Sequence, residues 1–465
     1  MKKICAIVLA AVMLLSACTA GQPSSSGEEP KSSGQTSAET SGTETPSAGE
    51  STEAPQTEQA AQDGGIVIWA FAGEEERTRT VCERYIAKPQ QAVPAPEGGW
   101  TVTVRTVTAE EAVSRLREAA AGSAEGADPA GEELPDIFFF SSDDLDVLKA
   151  GGLLDRLPEK RDAEVRRKVD ETVVAACSSE GVLWAYPAGF VSTMLLYYDK
   201  TVVSETGDLA SVIAQCGEAE RCFYAGTETT LFPAAVFSSF GLSYASTVLP
   251  DGRVSRAVCD YYTEKGLDAA RALQSLMGMS AFRTAEGSPV LAFSSDQQER
   301  AGAVIADSSH TSELRGILGN DYGVAALPPV TYGENAYPFL SEGTYLMIGV
   351  TPDADESKLQ YCHLLAQELT SSDAQRARYE ANGTVPVRPS LLNGITSDDK
   401  TASALVEQMP HVLRRTAVTE GYRGAMDLFT AKLLAGGADM KTAKLQQLLD
   451  ELSAFLMADV PKAQE

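Results

Sequence analysis

The alternation of apolar and polar stretches after residue 65 predicts strands and helices in turn. Residues 66–69 (IVIW) are a short apolar run, typical of a buried strand. Residues 74–88 begin with acids and then repeat apolar side chains at helical spacing, which predicts a helix. The same reasoning predicts a strand at 100–107, a helix at 109–121 and a strand at 136–140. This βαβαβ order indicates a parallel sheet covered by helices.

The later pattern is less regular but still mixes both kinds of element. Strands are predicted at 183–187, 194–199, 222–225, 303–307, 322–327 and 344–350. Helices are predicted over most of 208–281 and 357–458. Ser141 and Ser142 are suited to cap the helix that follows the third strand, and Gly151-Gly152 permits a left-handed exit from it. The predicted fold class is α/β.

The first residues have the order of a secretory signal peptide. Lys2 and Lys3 precede an apolar run at 4–15, which is too short to remain as a membrane span. The sequence LSAC at 15–18 resembles the lipobox of bacterial lipoproteins. That resemblance implies a signal peptide at 1–17 and a lipid carrying fatty acyl chains such as palmitate on Cys18. The alternative is a secreted protein with a chance cysteine near its cleavage site.

Residues 18–64 predict a tether behind that cysteine. After Cys18 the segment has no aliphatic side chain larger than Ala and no aromatic one, so it cannot bury enough apolar area to offset the entropy of ordering. It holds eight acids against Lys31 alone. An apolar N-terminal segment, a polar tether and a globular body together predict a protein attached to the outer face of the cell membrane.

The chain length and the net charge limit the domain organisation and the possible partners. A chain of 465 residues is too long for one hydrophobic core and indicates two domains. The net charge is −27, and subtracting the leader and tether leaves −22 on the body. Such a surface repels nucleic acid and anionic lipid.

Cysteine and histidine usage gives no sign of a metal site. The body has six cysteines: Cys82, Cys177, Cys216, Cys222, Cys259 and Cys362. Cys216 and Cys222 are close enough in sequence to close a small loop, but buried free thiols are the favoured interpretation for most of the six. With no CxxC pair and three histidines, neither a metal nor a cofactor is predicted.

Several segments of the body together resemble a known family. They are LPDIFFF at 134–140, LKAGGLLDRL at 148–157, AYP at 185–187 with LYYDK at 196–200, DYGVAALP at 321–328, LTSSDAQ at 369–375 and NGTVPV at 382–387. Their order and spacing resemble the extracellular solute-binding proteins of ABC importers, in the branch that includes maltodextrin-binding protein. Asp199 stands where that family usually has Asn.

The resemblance implies two lobes, each an open sheet covered by helices, with a hinge between them. Residues 66–189 plus 331–376 are expected to form one lobe, and 190–330 plus 377–465 the other. The implied function is to capture a small solute by hinge closure, without catalysis, and deliver it to the permease subunits of an importer. The protein is expected to be a monomer.

The resemblance also suggests where a solute binds. Candidate ligand-binding residues follow the strands that end at the cleft: Phe71, Glu74, Phe140, Ser141, Ser142, Asp143, Tyr186, Phe190, Ser192, Thr227, Glu228, Asp307, Ser308, Glu342, Gly343 and Tyr422. The family default is a sugar or oligosaccharide. The chain has only three tryptophans, however, and the acidic candidates equally suit an amine, a polyamine or a metal-bearing ligand.

Two other classes of function stay open at this point. The body has no common nucleophile, zinc-protease or nucleotide-binding motif, but a glycoside hydrolase that uses paired carboxylates is compatible with 65 acids. Ser397 and Lys400 have the spacing of the S-x-x-K motif of some serine enzymes, but the S-D-N and K-T-G motifs that accompany it are absent from the sequence, so a chance match is favoured. A surface sensor or adhesin on the same fold is the other alternative.

Overall fold

The computed structural model describes residues 64–88, 93–122, 133–225, 231–284, 288–294, 299–353, 355–395, 399–437 and 439–457. Cys18 and the tether therefore lie outside the described residues. All described residues belong to one compact unit. No described helix is both long enough and apolar enough to cross a bilayer.

Strands and helices alternate along most of the chain. The strands are β1 (Gly65–Phe71), β2 (Thr101–Val107), β3 (Ile137–Ser141), β4 (Ser178–Ser179), β5 (Val182–Leu183), β6 (Tyr186–Asp199), β7 (Cys222–Tyr224), β8 (Tyr244–Val248), β9 (Val254–Cys259), β10 (Phe282–Arg283), β11 (Ala301–Asp307), β12 (Tyr322–Ala325), β13 (Val330–Tyr332), β14 (Asn335–Tyr337), β15 (Ser341–Val350) and β16 (Val412–Arg414). The helices are α1 (Glu75–Ile86), α2 (Ala112–Gly122), α3 (Leu145–Ala150), α4 (Glu159–Lys168), α5 (Glu171–Ala176), α6 (Leu209–Glu218), α7 (Leu231–Ser239), α8 (Glu264–Met277), α9 (Thr311–Leu318), α10 (Glu356–Leu369), α11 (Ser372–Asn382), α12 (Pro389–Leu392), α13 (Lys400–Gln408), α14 (Tyr422–Ala435) and α15 (Thr442–Leu456).

One long sheet joins most of these strands, in the order β10-β7-β11-β6-β15-β3-β1-β2. β1 pairs in parallel with β2 and β3, and β7 pairs in parallel with β10 and β11. The parallel arrangement predicted for β1–β3 is therefore confirmed, and the opposite end of the sheet is parallel as well. Its middle is antiparallel, because β6 and β15 run against each other and against their outer neighbours.

β6 changes partners halfway along its 14 residues. From Tyr186 to Thr193 it pairs with β15, from Met194 to Tyr198 it pairs with β11, and from Leu196 to Asp199 it also pairs with β12. The sequence predicts two separate strands here, whereas the chain forms one. β6 thus connects the half of the sheet built on β1–β3 to the half built on β7, β10 and β11. The residue bounds expected for the two lobes stay a prediction.

Buried side chains form two clusters, and β6 and β11 contribute to both of them. The first surrounds Ile68 and Phe138, and the second surrounds Phe237 and Leu273. Successive residues of β6 point to opposite faces, so Leu195 belongs to the first cluster and Leu196 to the second. The six body cysteines are buried free thiols, as favoured for most of them from the sequence.

Local chemistry explains several element boundaries. Ser141 caps the turn after β3 by accepting a hydrogen bond from the Asp143 N–H at 3.3 Å. Gly152 has φ of 68°, the left-handed exit predicted at the end of α3. The hairpin of β8 and β9 is not anticipated by the sequence analysis, which predicts mainly helix in that stretch.

Candidate functional site

Two strand ends, one in each half of the sheet, have the same local structure. β3 ends at Ser141 and β11 at Asp307, and each continues into a single 3₁₀ turn. Asp307 caps its turn by accepting the Ser309 N–H at 2.9 Å, as Ser141 does in the other half. Strand ends that open into capped turns present side chains and backbone N–H groups at the edge of the sheet, where open α/β sheets bind ligands.

Thr193 joins the end of β11 to the start of β15 at the point where β6 changes partners. It is fully buried, and its N–H donates to Ser308 Oγ over 3.3 Å. Its hydroxyl donates to the Glu342 carbonyl oxygen at 2.9 Å and lies 2.8 Å from Ser341 Oγ. The end of β11, the middle of β6 and the start of β15 therefore meet at one buried residue, Thr193.

Charged side chains gather beside this junction. Arg415, just after β16, places Nη1 3.9 Å from Asp143 Oδ2 and Nε 3.9 Å from Glu342 Oε2. The Thr344 hydroxyl donates to Asp143 Oδ2 at 3.4 Å. The neighbouring Arg414 binds Asp146 instead, at 2.9 Å. This set, Asp143, Glu342, Thr344 and Arg415, is called the junction cluster below.

Burial disfavours the ionised forms of the acids on the turn after β3. It raises the pKa of Asp143, although Arg415 and the Ser142 and Thr344 hydroxyls partly oppose it. Burial and the adjacent Asp143 raise the pKa of Asp144 to about 6.

Seven predicted ligand residues lie together at or beside this junction. They are Ser141, Ser142, Asp143, Ser192, Ser308, Glu342 and Gly343. Asp307 lies on the turn next to Ser308. Ser142 Oγ accepts the Tyr345 N–H at 3.0 Å and so also fixes β3 against β15.

Four other predicted residues are packed inside the protein. Phe140, Tyr186 and Phe190 are at most 1% exposed, so their rings offer no face to a solute. Tyr422 is 7% exposed and packs edge-on against Tyr244, with ring centroids 4.8 Å apart. Phe140, Tyr186 and Phe190 lie in strand segments whose successive residues are buried, and Tyr422 lies at the start of α14. The sequence motif did not indicate this burial.

Glu74 and Phe71 also have structural partners. Glu74 is 3% exposed and binds Arg378 at 3.0 Å and Arg77 at 2.8 Å. Phe71 is half-buried and packs on Phe139, with ring centroids 6.4 Å apart. Thr227 and Glu228 lie outside the described residues. The ligand-binding role of every candidate stays a prediction.

The sequence analysis missed Thr344, Arg415, Asp144 and Thr193. Thr344 follows the predicted Gly343 directly, so its position on β15 was the available signal. Arg415 carries no such signal, because its approach to Asp143 depends on how β16 packs beside β15.

A separate cavity of about 250 Å³ lies between α1 and the α10–α11 corner. It is lined by charges of both signs, including Arg77, Arg84 and Glu368. None of the junction residues lines it.

Comparison with known proteins identifies the family to which the chain belongs. The sequence model of a family described as bacterial extracellular solute-binding proteins matches residues 90–408, so the chain belongs to that family. Its function is therefore that of an extracytoplasmic solute-binding protein, consistent with the binding subunit of an ABC importer. Among curated proteins, none matches the sequence.

Solved structures agree on the two-lobed fold at low sequence identity. Maltodextrin-binding protein MalE1 from L. casei BL23, without ligand, is 15% identical with a TM-score of 0.64, covering 85% of this chain and 100% of that one. The extracellular solute-binding protein from Staphylococcus aureus in complex with maltose is 14% identical with a TM-score of 0.60, covering 85% and 97%. MalE from Listeria monocytogenes in complex with maltose is 13% identical with a TM-score of 0.58, covering 84% and 97%.

Proposed function

We propose that this protein captures a small solute at the junction between its lobes and delivers it to the permease of an ABC importer, without chemical conversion. The observation that carries the proposal is that Thr193 joins β6 to β11 and β15, while Thr344, on β15, reaches Asp143 in the turn after β3. Polar groups from both halves of the sheet converge there. A solute that contacts both halves favours the conformation in which they are closest.

Closure needs a hinge, and β6 provides the natural place for one. The strand exchanges β15 for β11 between Thr193 and Met194, and its pairing with β15 is irregular on either side of Tyr345. Small φ and ψ changes at these positions swing one half of the sheet while leaving each half's hydrogen bonds intact.

The proposed solute is a sugar or oligosaccharide. Two of the similar structures contain maltose, and a further one, a cyclo/maltodextrin-binding protein, contains maltotetraose. The serine, threonine and carboxylate groups at the junction suit the hydroxyl groups of such a ligand.

Calorimetric titration and thermal unfolding over a panel of sugars test this function. A solute-binding protein gives saturable binding, a raised unfolding temperature and recovery of the ligand unchanged. Recovery of cleaved sugar would instead indicate the glycoside hydrolase alternative. Small-angle scattering with and without the bound sugar should show a smaller radius of gyration on closure.

We also propose that Cys18 carries the lipid anchor. Cys18→Ser in the native host should release the protein from the membrane fraction and abolish labelling by radioactive palmitate. Cys216→Ser, which replaces a buried body thiol, is the matched control and should leave membrane association and palmitate labelling unchanged.

Adjacent genes for two permease subunits, and loss of solute uptake when this gene is deleted, distinguish an importer subunit from a sensor or adhesin.

A further inference from the structure

We propose that the cavity of about 250 Å³ between α1 and the α10–α11 corner binds a small organic anion, a carboxylate that carries a short apolar body. The cavity is separate from the junction at which solute capture is proposed, and binding there does not depend on that function. Two buried hydrogen-bond donors without partners, a shared counter-charge and an apolar lining carry the inference.

A buried hydroxyl group lines the cavity without a hydrogen-bond partner. Thr78 is 1% exposed, and its Oγ1 has no partner within the described residues. A threonine within a helix often donates to the carbonyl oxygen four residues earlier, as Thr80 does to Glu76 at 2.8 Å. Thr78 makes no such bond, although leaving a buried hydroxyl unpaired lowers stability. A ligand oxygen in the cavity supplies the missing acceptor.

Arg77, the residue before Thr78, provides a second donor and a positive charge. Its Nε is buried without a partner in the described part of the chain, while Nη2 binds Glu74 at 2.8 Å. Arg378, which also lines the cavity, binds the same carboxylate at 3.0 Å, so two guanidinium groups share one ion-pair partner. Burial lowers the pKa of Arg378; Glu74 opposes this shift and Arg77 adds to it. A carboxylate accepts through two oxygens, which suits two unpartnered donors and adds a counter-charge.

The acids that line the cavity lie toward solvent. Glu76 and Asp373 are exposed in the first turns of α1 and α11, and Glu368 is partly exposed near the end of α10. The exposed Arg84 and Lys88 line the cavity with them. Water and salt screen exposed charges more strongly than buried ones, so the buried donors decide which ligand charge is favoured.

The remainder of the lining suits an apolar body. Leu369 and Ala374 are at most 7% exposed, and Val81 and Ala377 complete the apolar part of the wall. An apolar cavity of about 150 Å³ holds a benzene molecule. At about 250 Å³, this cavity has room for a ring of that size together with a carboxylate.

Calorimetric titration of the full chain at pH 7 tests the proposal with three probes. Benzoate combines a carboxylate with an apolar ring. Benzyl alcohol keeps the ring without the charge, and inorganic phosphate keeps the charge without the ring. We expect saturable binding of benzoate that is at least about tenfold tighter than that of either other probe, because it alone satisfies both parts of the cavity.

Variants then assign the position. Thr78→Val removes the hydroxyl and should weaken benzoate binding about tenfold, while the ligand-free protein unfolds at the same or a higher temperature, because no internal hydrogen bond is lost. A purely structural role of Thr78 does not produce this combination. Ala377→Leu fills the cavity from an exposed position on α11 and should abolish binding, which decides the matter if Thr78→Val does not fold. Arg79→Gln, an exposed cation of α1 that does not line the cavity, is the control.

Each contrary result overturns a defined part of the proposal. Equal binding of benzyl alcohol overturns the need for an anion, and equal or tighter binding of phosphate overturns the need for an apolar body. Benzoate binding that is unchanged in Thr78→Val and Ala377→Leu, or that is lost in Glu342→Gln at the junction, overturns the position. Absence of saturable benzoate binding overturns the site itself. Sugar binding is measured separately, so its failure bears only on the proposed solute-binding function.

Discussion

Arg378 and Glu74 form an ion pair in the interior of the protein, with Nε 3.0 Å from Oε2 and both side chains at most 4% exposed. Arg378 also donates to the Ala188 carbonyl oxygen on β6, and Asn382 donates to Glu74. The pair thus ties the end of β1 and helix α11 to the strand that joins the two halves.

Replacing one partner of this pair should destabilise the fold. Glu74→Gln leaves the Arg378 guanidinium buried without its counter-charge, which costs about 3–5 kcal/mol of unfolding free energy. Urea unfolding followed by circular dichroism measures the loss. Asp251→Asn, in the exposed pair with Arg253, is the control and should change stability little. Equal stabilities for the two variants would contradict the structural role of the pair.

Asp144 should make stability fall as the pH rises from about 4 to about 6. Its folded-state pKa of about 6 lies above the ordinary 3.8, so the folded protein binds this proton more tightly than the unfolded chain does. Asp144→Asn should remove this slope and stabilise the protein at pH 7 by about 1–2 kcal/mol, a value discounted for partial exposure. Denaturant unfolding at pH 4, 5, 6 and 7 gives the comparison, with Glu159→Gln as control. An unchanged slope in Asp144→Asn refutes the assignment.

The sequence is a good guide to elements whose pattern is local. The strands at β1–β3, β11 and β15, and the cap at Ser141, follow from runs of apolar side chains and from single polar residues. The continuity of β6 does not, because Gly189 lies within it. A Cβ there would approach the Thr384 side chain to 2.4 Å, so close packing rather than strand propensity accounts for this glycine.

In the candidate site, too, residues that follow a strand directly were predictable from the sequence, whereas residues that depend on distant contacts were not. Ser141, Asp143 and Ser308 follow strands directly, and the carboxyl ends of strands are predictable from order alone. Glu74 was predicted at the cleft but is paired with a residue 304 positions away, a relationship that no local pattern contains. The burial of Phe140 and Tyr186 depends on strand register in three dimensions.

Two tyrosines of similar burial should respond oppositely to loss of the hydroxyl. Tyr186 Oη lies 3.0 Å from His363 Nδ1, whose other ring nitrogen lies 2.9 Å from Asp155 Oδ2. Tyr186→Phe leaves His363 Nδ1 unpaired and should lower the unfolding free energy by about 1–2 kcal/mol. The Tyr345 hydroxyl is buried without a partner in the described structure, so Tyr345→Phe should be neutral or stabilising. Chemical denaturation of both variants tests the difference, and a larger loss for Tyr345→Phe would be inconsistent with these contacts.

Two glycines should likewise differ when replaced by alanine. A Cβ at Gly343 would lie 2.5 Å from Val412 Cγ1 and 2.7 Å from the Ser192 carbonyl oxygen. Gly343→Ala should therefore separate β15 from β6 and cost about 1–3 kcal/mol. Gly316 lies within α9 with open space around it, so Gly316→Ala should stabilise by about 0.5–1 kcal/mol. Thermal melts of the two variants, with shifts of opposite sign, provide the check.

The partner exchange within β6 has a consequence for how this protein can be divided. Both portions of the sheet depend on the same 14 residues for an interior strand, so severing the backbone at Thr193 deprives each fragment of a covalently continuous neighbour. Fragments separated there should remain insoluble or unstructured alone and recover order only when mixed. A gene split at this position would accordingly report reassembly rather than the presence of two autonomous modules.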